Sequence, residues 1–158
     1  MIRTAVLTIS DSCANGKRED ISGQTVVDIL PEDKYEICQR KIVPDNKKNI
    51  IEKLKLYSDR NNIDVVLTTG GTGLGPRDVT PEATASVCEK IVPSIGEIIR
   101  AEGFKKTPNA ILSRGLAGIR GHTLIINLPG SPKAVRESLE ILLDVIPHAV
   151  KMIHGGGH

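Results

Sequence analysis

Residues Asp64 to Glu82 read DVVLTTGGTGLGPRDVTPE, and their reading decides the fold. Val65, Val66 and Leu67 form a short apolar run rich in β-branched residues and closed by glycines, which predicts a buried strand. At the other end Thr80 is a candidate cap, Pro81 has the φ of a first helical position and Glu82 favours the positive end of a helix dipole. Between them, Gly70, Gly71, Gly73 and Gly75 let the backbone approach a ligand closely and turn its N–H groups toward an anion. A strand, a glycine loop and a helix start make a candidate phosphate site.

Neither usual phosphate loop fits. The Gly-Lys-Ser/Thr of a P-loop is missing, and Pro76 occupies the last glycine position of a dinucleotide fingerprint. The loop instead carries Asp78 beside Arg77. A carboxylate among phosphates is unfavourable unless a cation such as Mg²⁺ lies between them, so the loop hints at metal-assisted phosphate chemistry. The competing reading is a tight turn whose glycines and Asp78 serve only geometry.

Working outward, Ala5 to Ile9 and Thr123 to Leu128 are fully apolar or nearly so, as expected of strands covered on both faces, and Tyr35 to Val43 reads as a further strand. Helices are expected from Ser22 or Gly23 to Leu30; over Ile50, Ile51, Leu54 and Tyr57; from Thr80 through Ile91 to a stop at Pro93; and as a short piece opened by a Ser94 and Glu97 capping box. Ser131 as cap and Pro132 as first residue open a last helix, whose stripe runs without a break from Val135 to Ile153. Asn109 to Gly121 reads as irregular strand and turn. Ser10 to Ser22 is polar and aperiodic, a loop expected to be mobile, with nothing in it to anchor to a core. Strands alternating with helices predict an α/β fold with a mostly parallel sheet and right-handed crossovers.

The 158 residues predict one domain, residues 1–158, which would bury about 70% of its unfolded-chain surface. A net charge of +2 from 21 basic and 19 acidic residues leaves no electrostatic footprint for nucleic acid, and three aromatics give no stacking surface. No apolar run approaches the ~20 residues of a membrane span. Cys13, Cys38 and Cys88, without a CxxC, fit reduced thiols, and the chain is expected in the cytoplasm. Cys38 and Cys88 read as core; Cys13 is either simply exposed or lines a site. The histidines fall outside the loops that gather at the strand ends, and the terminal HGGGH is a weak metal candidate.

Topology brings four polar features to the C-terminal ends of the strands: the Ser10 to Gly23 loop, Pro44 with Asp45, the glycine loop through Asp78, and Leu128 to Ser131. Asp45 either caps the following helix or faces a ligand.

These motifs resemble the molybdopterin-binding family, most closely its MogA type, the molybdopterin adenylyltransferases related to the gephyrin G domain. The matching residues are Ser10, Asp11, Gly16, Asp20, Ser22 and Gly23; Val43 to Asp45; TTGGTG and PRDVTPEAT between Thr68 and Thr84; Leu112 to Gly121; and LPGSPKAV from Leu128 to Val135. The resemblance implies a three-layer α/β/α domain, usually a trimer, that transfers AMP from ATP to the terminal phosphate of molybdopterin with Mg²⁺ and releases pyrophosphate. It assigns catalysis and Mg²⁺ to Asp78 and Asp45, without deciding which holds the metal. It gives Gly70, Gly71, Thr72, Gly73, Ser113, Gly130 and Ser131 to the pterin and its phosphate, and Ser10, Asp11 and Gly16 to the nucleotide. The molybdenum insertase of the pathway is an implied partner. The sequence departs from some relatives at Asn46, where a second acid is common, and at Gly75. The alternatives are the MoaB type, often hexameric, or a molybdopterin-binding protein of the same pathway without catalysis.

Overall fold

The computed structural model describes residues 1–157, so His158, one end of the HGGGH candidate, lies outside it. The described elements are strand β1 (Ile2–Ile9), helices α1 (Asp11–Ala14) and α2 (Ile21–Ile29), β2 (Tyr35–Val43), α3 (Lys47–Asp59), β3 (Val65–Thr69), α4 (Thr80–Val87), β4 (Lys90–Ile91), α5 (Pro93–Phe104), a 3₁₀ turn (Pro108–Leu112), β5 (Ala117–Arg120), β6 (Thr123–Leu128), α6 (Pro132–Leu142) and α7 (Ile146–Ile153). Six strands form one sheet in the order β2-β1-β3-β6-β5-β4. The first four are parallel, while β5 turns back on β6 at Gly121 (φ +57°) and β4 pairs antiparallel to β5.

The apolar runs are continuous because both sheet faces are covered. Val6, Val65, Leu67, Leu124 and Ile126 point to one side, against Val26 of α2, Ile99 of α5, Leu139 of α6 and Val150 of α7. Their neighbours Ala5, Leu7, Val66 and Ile125 point to the other, against Ile50, Leu54 and Tyr57 of α3 and Ala83 of α4. The result is three layers, α/β/α, as expected.

Several helix ends differ from expectation. The helix through Ala83 and Val87 ends at Val87, and Ile91 belongs to the short edge strand β4. Pro93 opens α5 rather than stopping its predecessor, because a first helical position tolerates the missing N–H. Ser94 and Glu97 form no capping box, and Val92 precedes the helix without a side-chain cap. The final stripe is two helices, with a turn at Leu143–Val145 and Pro147 at the start of α7. Both halves face the same core, so a periodicity argument alone cannot see the break.

No described helix is long and apolar enough to cross a membrane.

Candidate active site

β1 and β3 are neighbours, yet their connections leave in opposite directions along the sheet, so a crevice opens beyond Ile9 and Thr69. Gly70 and Gly71 adopt φ of +99° and +68° there. A Cβ on Gly70 would overlap the Ile9 carbonyl oxygen, and one on Gly71 would overlap Thr80 Oγ1 and sit 3.1 Å from Asp45 Oδ1. Glycine is therefore required at both positions by geometry and by close approach. Thr80 does not cap α4. Its hydroxyl donates to Gly70 O at 2.9 Å and its N–H to Gly71 O at 3.1 Å, stitching the loop shut.

Arg114 grips the same loop from the far side. Its N–H donates to Thr72 O, Nε to Gly73 O and Nη2 to Asp78 O, each at 2.8 Å, while Nη1 meets Glu82 Oε2 at 2.6 Å. The Asp78 carboxylate accepts from Gly75 N at 2.9 Å, and a Cβ on Gly73 or Gly75 would lie 2.9 Å from its Oδ2.

On the opposite rim, Asn46 rather than Asp45 caps α3, accepting from Asn49 N at 3.1 Å. Asp45 is thereby left facing the crevice, where it and Asp11 accept hydrogen bonds from each other's backbone. Arg77 reaches across from the glycine loop and forks onto Asp11, with Nε to Oδ2 at 3.0 Å and Nη2 to Oδ1 at 2.9 Å. The Arg77 hydrogen bond holds the Asp11 carboxyl below its usual range. Asp45 moves the other way, raised first by burial and then by the charges of Asp11 and Asp78, against the opposing Asp11 N–H and Arg77.

The Ser10 to Ser22 segment is more ordered than its polarity suggests. Ser10 caps the single turn α1, accepting from Cys13 N at 3.2 Å. Asp20, buried to 9% exposure, accepts from Thr8 Oγ1 at 2.8 Å and caps α2 through Gly23 N at 2.9 Å, so the segment does have an anchor in the fold. The signal was a carboxylate three residues ahead of a glycine at a helix start.

Two cavities meet at Gly130. The smaller, about 180 Å³, is lined by Ser10, Cys13, Arg18, Asp20, Gly70 and Gly130 among others. The larger, about 530 Å³, includes Thr72, Gly73, Ser113, Gly130 and Ser131. Ser22 Oγ donates to Gly130 O at 2.6 Å on the wall they share. Asp11, Asp45, Gly71 and Asp78 line neither cavity and belong to the rim of the crevice. Gly16 (φ +77°) ends the α1 turn with nothing within 4 Å of a Cβ, outside both cavities. Cys38 and Cys88 pack at the edge of the second core layer and are only half-buried.

The residues can accommodate Mg²⁺ only in part. The carboxylates of Asp11 and Asp78, close enough to raise the proton affinity of Asp45, make with it a set of hard oxygen donors suited to that ion. No group of three or more His, Cys, Asp or Glu among the described residues is placed to hold a metal by itself, so water or phosphate oxygens of a substrate would complete the shell.

The sequence of residues 5–148 matches the family model described as a probable molybdopterin binding domain. The chain belongs to that family. Within it, a protein named molybdopterin adenylyltransferase from Helicobacter pylori is 44% identical over 98% of this chain and 89% of its own length. The Drosophila melanogaster molybdenum cofactor synthesis protein cinnamon is 47% identical over 96% of this chain, which spans only 26% of that protein. A crystal structure of the molybdopterin biosynthesis enzyme MoaB from Thermus superposes with a TM-score of 0.93, at 47% identity and 98% coverage of both chains. In this member of the family the crevice just described lies at the carboxyl ends of β1 and β3.

Proposed function

We propose that residues 1–158 act as one molybdopterin-binding domain that adenylylates molybdopterin: AMP passes from ATP to its terminal phosphate and pyrophosphate leaves. The observation that carries the reading is the pair of cavities joined at Gly130 beside the Asp11, Asp45 and Asp78 carboxylates, a layout for two substrates and one reacting centre. The adenylyltransferase name of the Helicobacter relative supports it.

The chemistry needs no general base from the protein. A phosphate monoester has a second pKa near 6, so at neutral pH it is mostly a dianion that can attack the α-phosphorus directly. The bond from that phosphorus to the oxygen bridging toward the β-phosphate breaks, and the electron pair leaves on pyrophosphate. The chain's task is then positioning and charge neutralisation. In this reading Thr72, Gly73, Ser113, Gly130 and Ser131 hold the pterin and its phosphate, with Gly70 and Gly71 bringing the loop backbone close. Ser10 and Asp11 face the nucleotide, and Gly16 shapes the turn that presents them. Asp45 and Asp78 would hold Mg²⁺, which when bound neutralises charge developing on the phosphates. A homotrimer belongs to the same proposal, and light scattering of the pure protein tests it.

The similarity to the Thermus MoaB favours one second reading, a MoaB-type protein of the pathway in which this transfer is absent. Incubation with molybdopterin, ATP and Mg²⁺ separates the two. Pyrophosphate release that depends on molybdopterin is expected; binding of both substrates without release supports the second reading.

A further inference from the structure

Arg77 is 63% exposed on the rim, and both described hydrogen bonds of its guanidinium go to Asp11, itself 41% exposed. The fold does not depend on this pair. α1 is already tied to the end of β2 by Ser10 N to Val43 O at 2.9 Å and by Asp11 N to Asp45, and the glycine loop is already held by Arg114 and Thr80. An ion pair this exposed is weakly held, so a more highly charged competitor can take either member. Arg77 also lies close enough to Asp45 to feel its charge, which puts one guanidinium at the edge of a cluster of carboxylates. A polyphosphate entering that crevice meets repulsion from the acids and finds in Arg77 a forked donor on the rim able to grip two of its oxygens.

We propose that Arg77 is a phosphate-binding residue for the nucleoside triphosphate, which Asp11 holds in reserve until the substrate arrives with a divalent cation that neutralises the neighbouring carboxylates in its place. The proposal rests on the nucleotidyl-transfer reading of the site. It gives the Asp11–Arg77 pair a purpose other than stability: the guanidinium rests on Asp11 while the crevice is empty and turns to the phosphates when it fills.

The test exploits two effects of opposite sign. Binding of Mn²⁺ alone is followed by electron paramagnetic resonance, and binding of ATP by calorimetry with Mg²⁺ saturating, for the parent, Arg77→Ala and Arg77→Lys. Arg77→Ala should bind Mn²⁺ several-fold more tightly, because the positive charge beside Asp45 that repels the ion is gone, and ATP about tenfold more weakly, because a charge-assisted fork is lost. Arg77→Lys, which keeps the charge without the fork, should fall between parent and alanine variant in both. Unchanged or weaker Mn²⁺ binding in Arg77→Ala, or unchanged ATP binding, overturns the proposal. A lower melting temperature with both affinities unaltered is what a purely structural pair predicts, and overturns it equally. Both readouts are binding measurements, so a parent that binds ATP and Mn²⁺ but releases no pyrophosphate contradicts the activity and leaves the role of Arg77 standing.

Discussion

The backbone N–H of Asp11 donates to Asp45 Oδ2 at 2.9 Å, and that of Asp45 donates back to Asp11 Oδ1 at 3.0 Å. This reciprocal pair joins the segment after β1 to the segment after β2, at the carboxyl ends of adjacent parallel strands. It fixes two acids side by side whose proton affinities are pushed apart, Asp11 downward by Arg77 and Asp45 upward by burial and like charge. Such an arrangement is costly in an empty crevice and favourable around a cation, a common signature of a site shaped for function rather than stability.

Asp45→Asn should accordingly stabilise the protein at neutral pH while abolishing adenylyl transfer. The folded-state pKa of Asp45 lies above the ordinary carboxylate value of 3.8, so the native state binds the proton more tightly than the unfolded chain. Asp45 therefore favours folding when protonated, and that contribution is lost as pH rises through the folded pKa. The amide keeps an acceptor for Asp11 N and carries no charge. Melting curves should show a higher Tm for the variant at pH 7, with the difference fading as pH approaches 3.8. A lower Tm at pH 7 would refute the electrostatic account of this residue.

Asp78→Asn is expected to retain molybdopterin binding and to lose nearly all adenylyl transfer. The asparagine oxygen can still accept from Gly75 N, so the turn survives while the charge does not. If Asp78 only closes its turn, turnover is unchanged or falls only in step with stability, and parallel turnover and melting measurements decide.

Much of this was legible in the sequence. The three central parallel strands, β1, β3 and β6, announced themselves as apolar runs because both faces of the sheet are covered there, and Ser131 with Pro132 opens α6 as expected, the serine accepting from Ala134 N at 3.2 Å. The place of the crevice followed from topology. What escaped were choices made by tertiary contacts. Thr80 looks like a cap but spends its hydroxyl on Gly70 O, and Asn46 takes the cap that Asp45 could have taken. Asp20 looks like one more charge in a polar run, yet it is buried under Thr8. The grip of Arg114 spans 41 residues to Gly73, and no local pattern encodes it.

Arg114→Ala should cost about 1–2 kcal/mol of stability, since it removes several partly exposed hydrogen bonds at once. It should also lower adenylyl transfer by about tenfold or more through the displaced glycine loop. Arg114→Lys should recover little, because a point charge cannot span Gly73 O, Asp78 O and Glu82 together. Denaturant titration and turnover on the same preparations check both. Full activity in the alanine variant would mean that Thr80 and the backbone bond from residue 114 to Thr72 O hold the loop without the guanidinium.

The cysteines should separate by reactivity. Burial, with the charge of Glu89, pushes the Cys88 thiol up to about 11, so at neutral pH it stays protonated and resists alkylation in the folded protein. Cys13 lines the smaller cavity together with Ser10, which is proposed to face the nucleotide. Mass spectrometry after brief iodoacetamide treatment should find Cys13 labelled ahead of Cys88, and ATP should protect it. Equal labelling of Cys13 with and without saturating ATP would place the nucleotide elsewhere.

The central claim is that the two cavities joined at Gly130 bring the molybdopterin phosphate to the α-phosphorus of ATP. It is tested most directly with ATP labelled in its α-phosphate, incubated with the protein, molybdopterin and Mg²⁺, followed by separation of the products. Label should appear in a molybdopterin adduct, with unlabelled pyrophosphate released in equal amount and neither product formed by Asp78→Asn. Label that stays in ATP, or that is released as free AMP, while both substrates bind would contradict adenylyl transfer and leave a binding protein in its place.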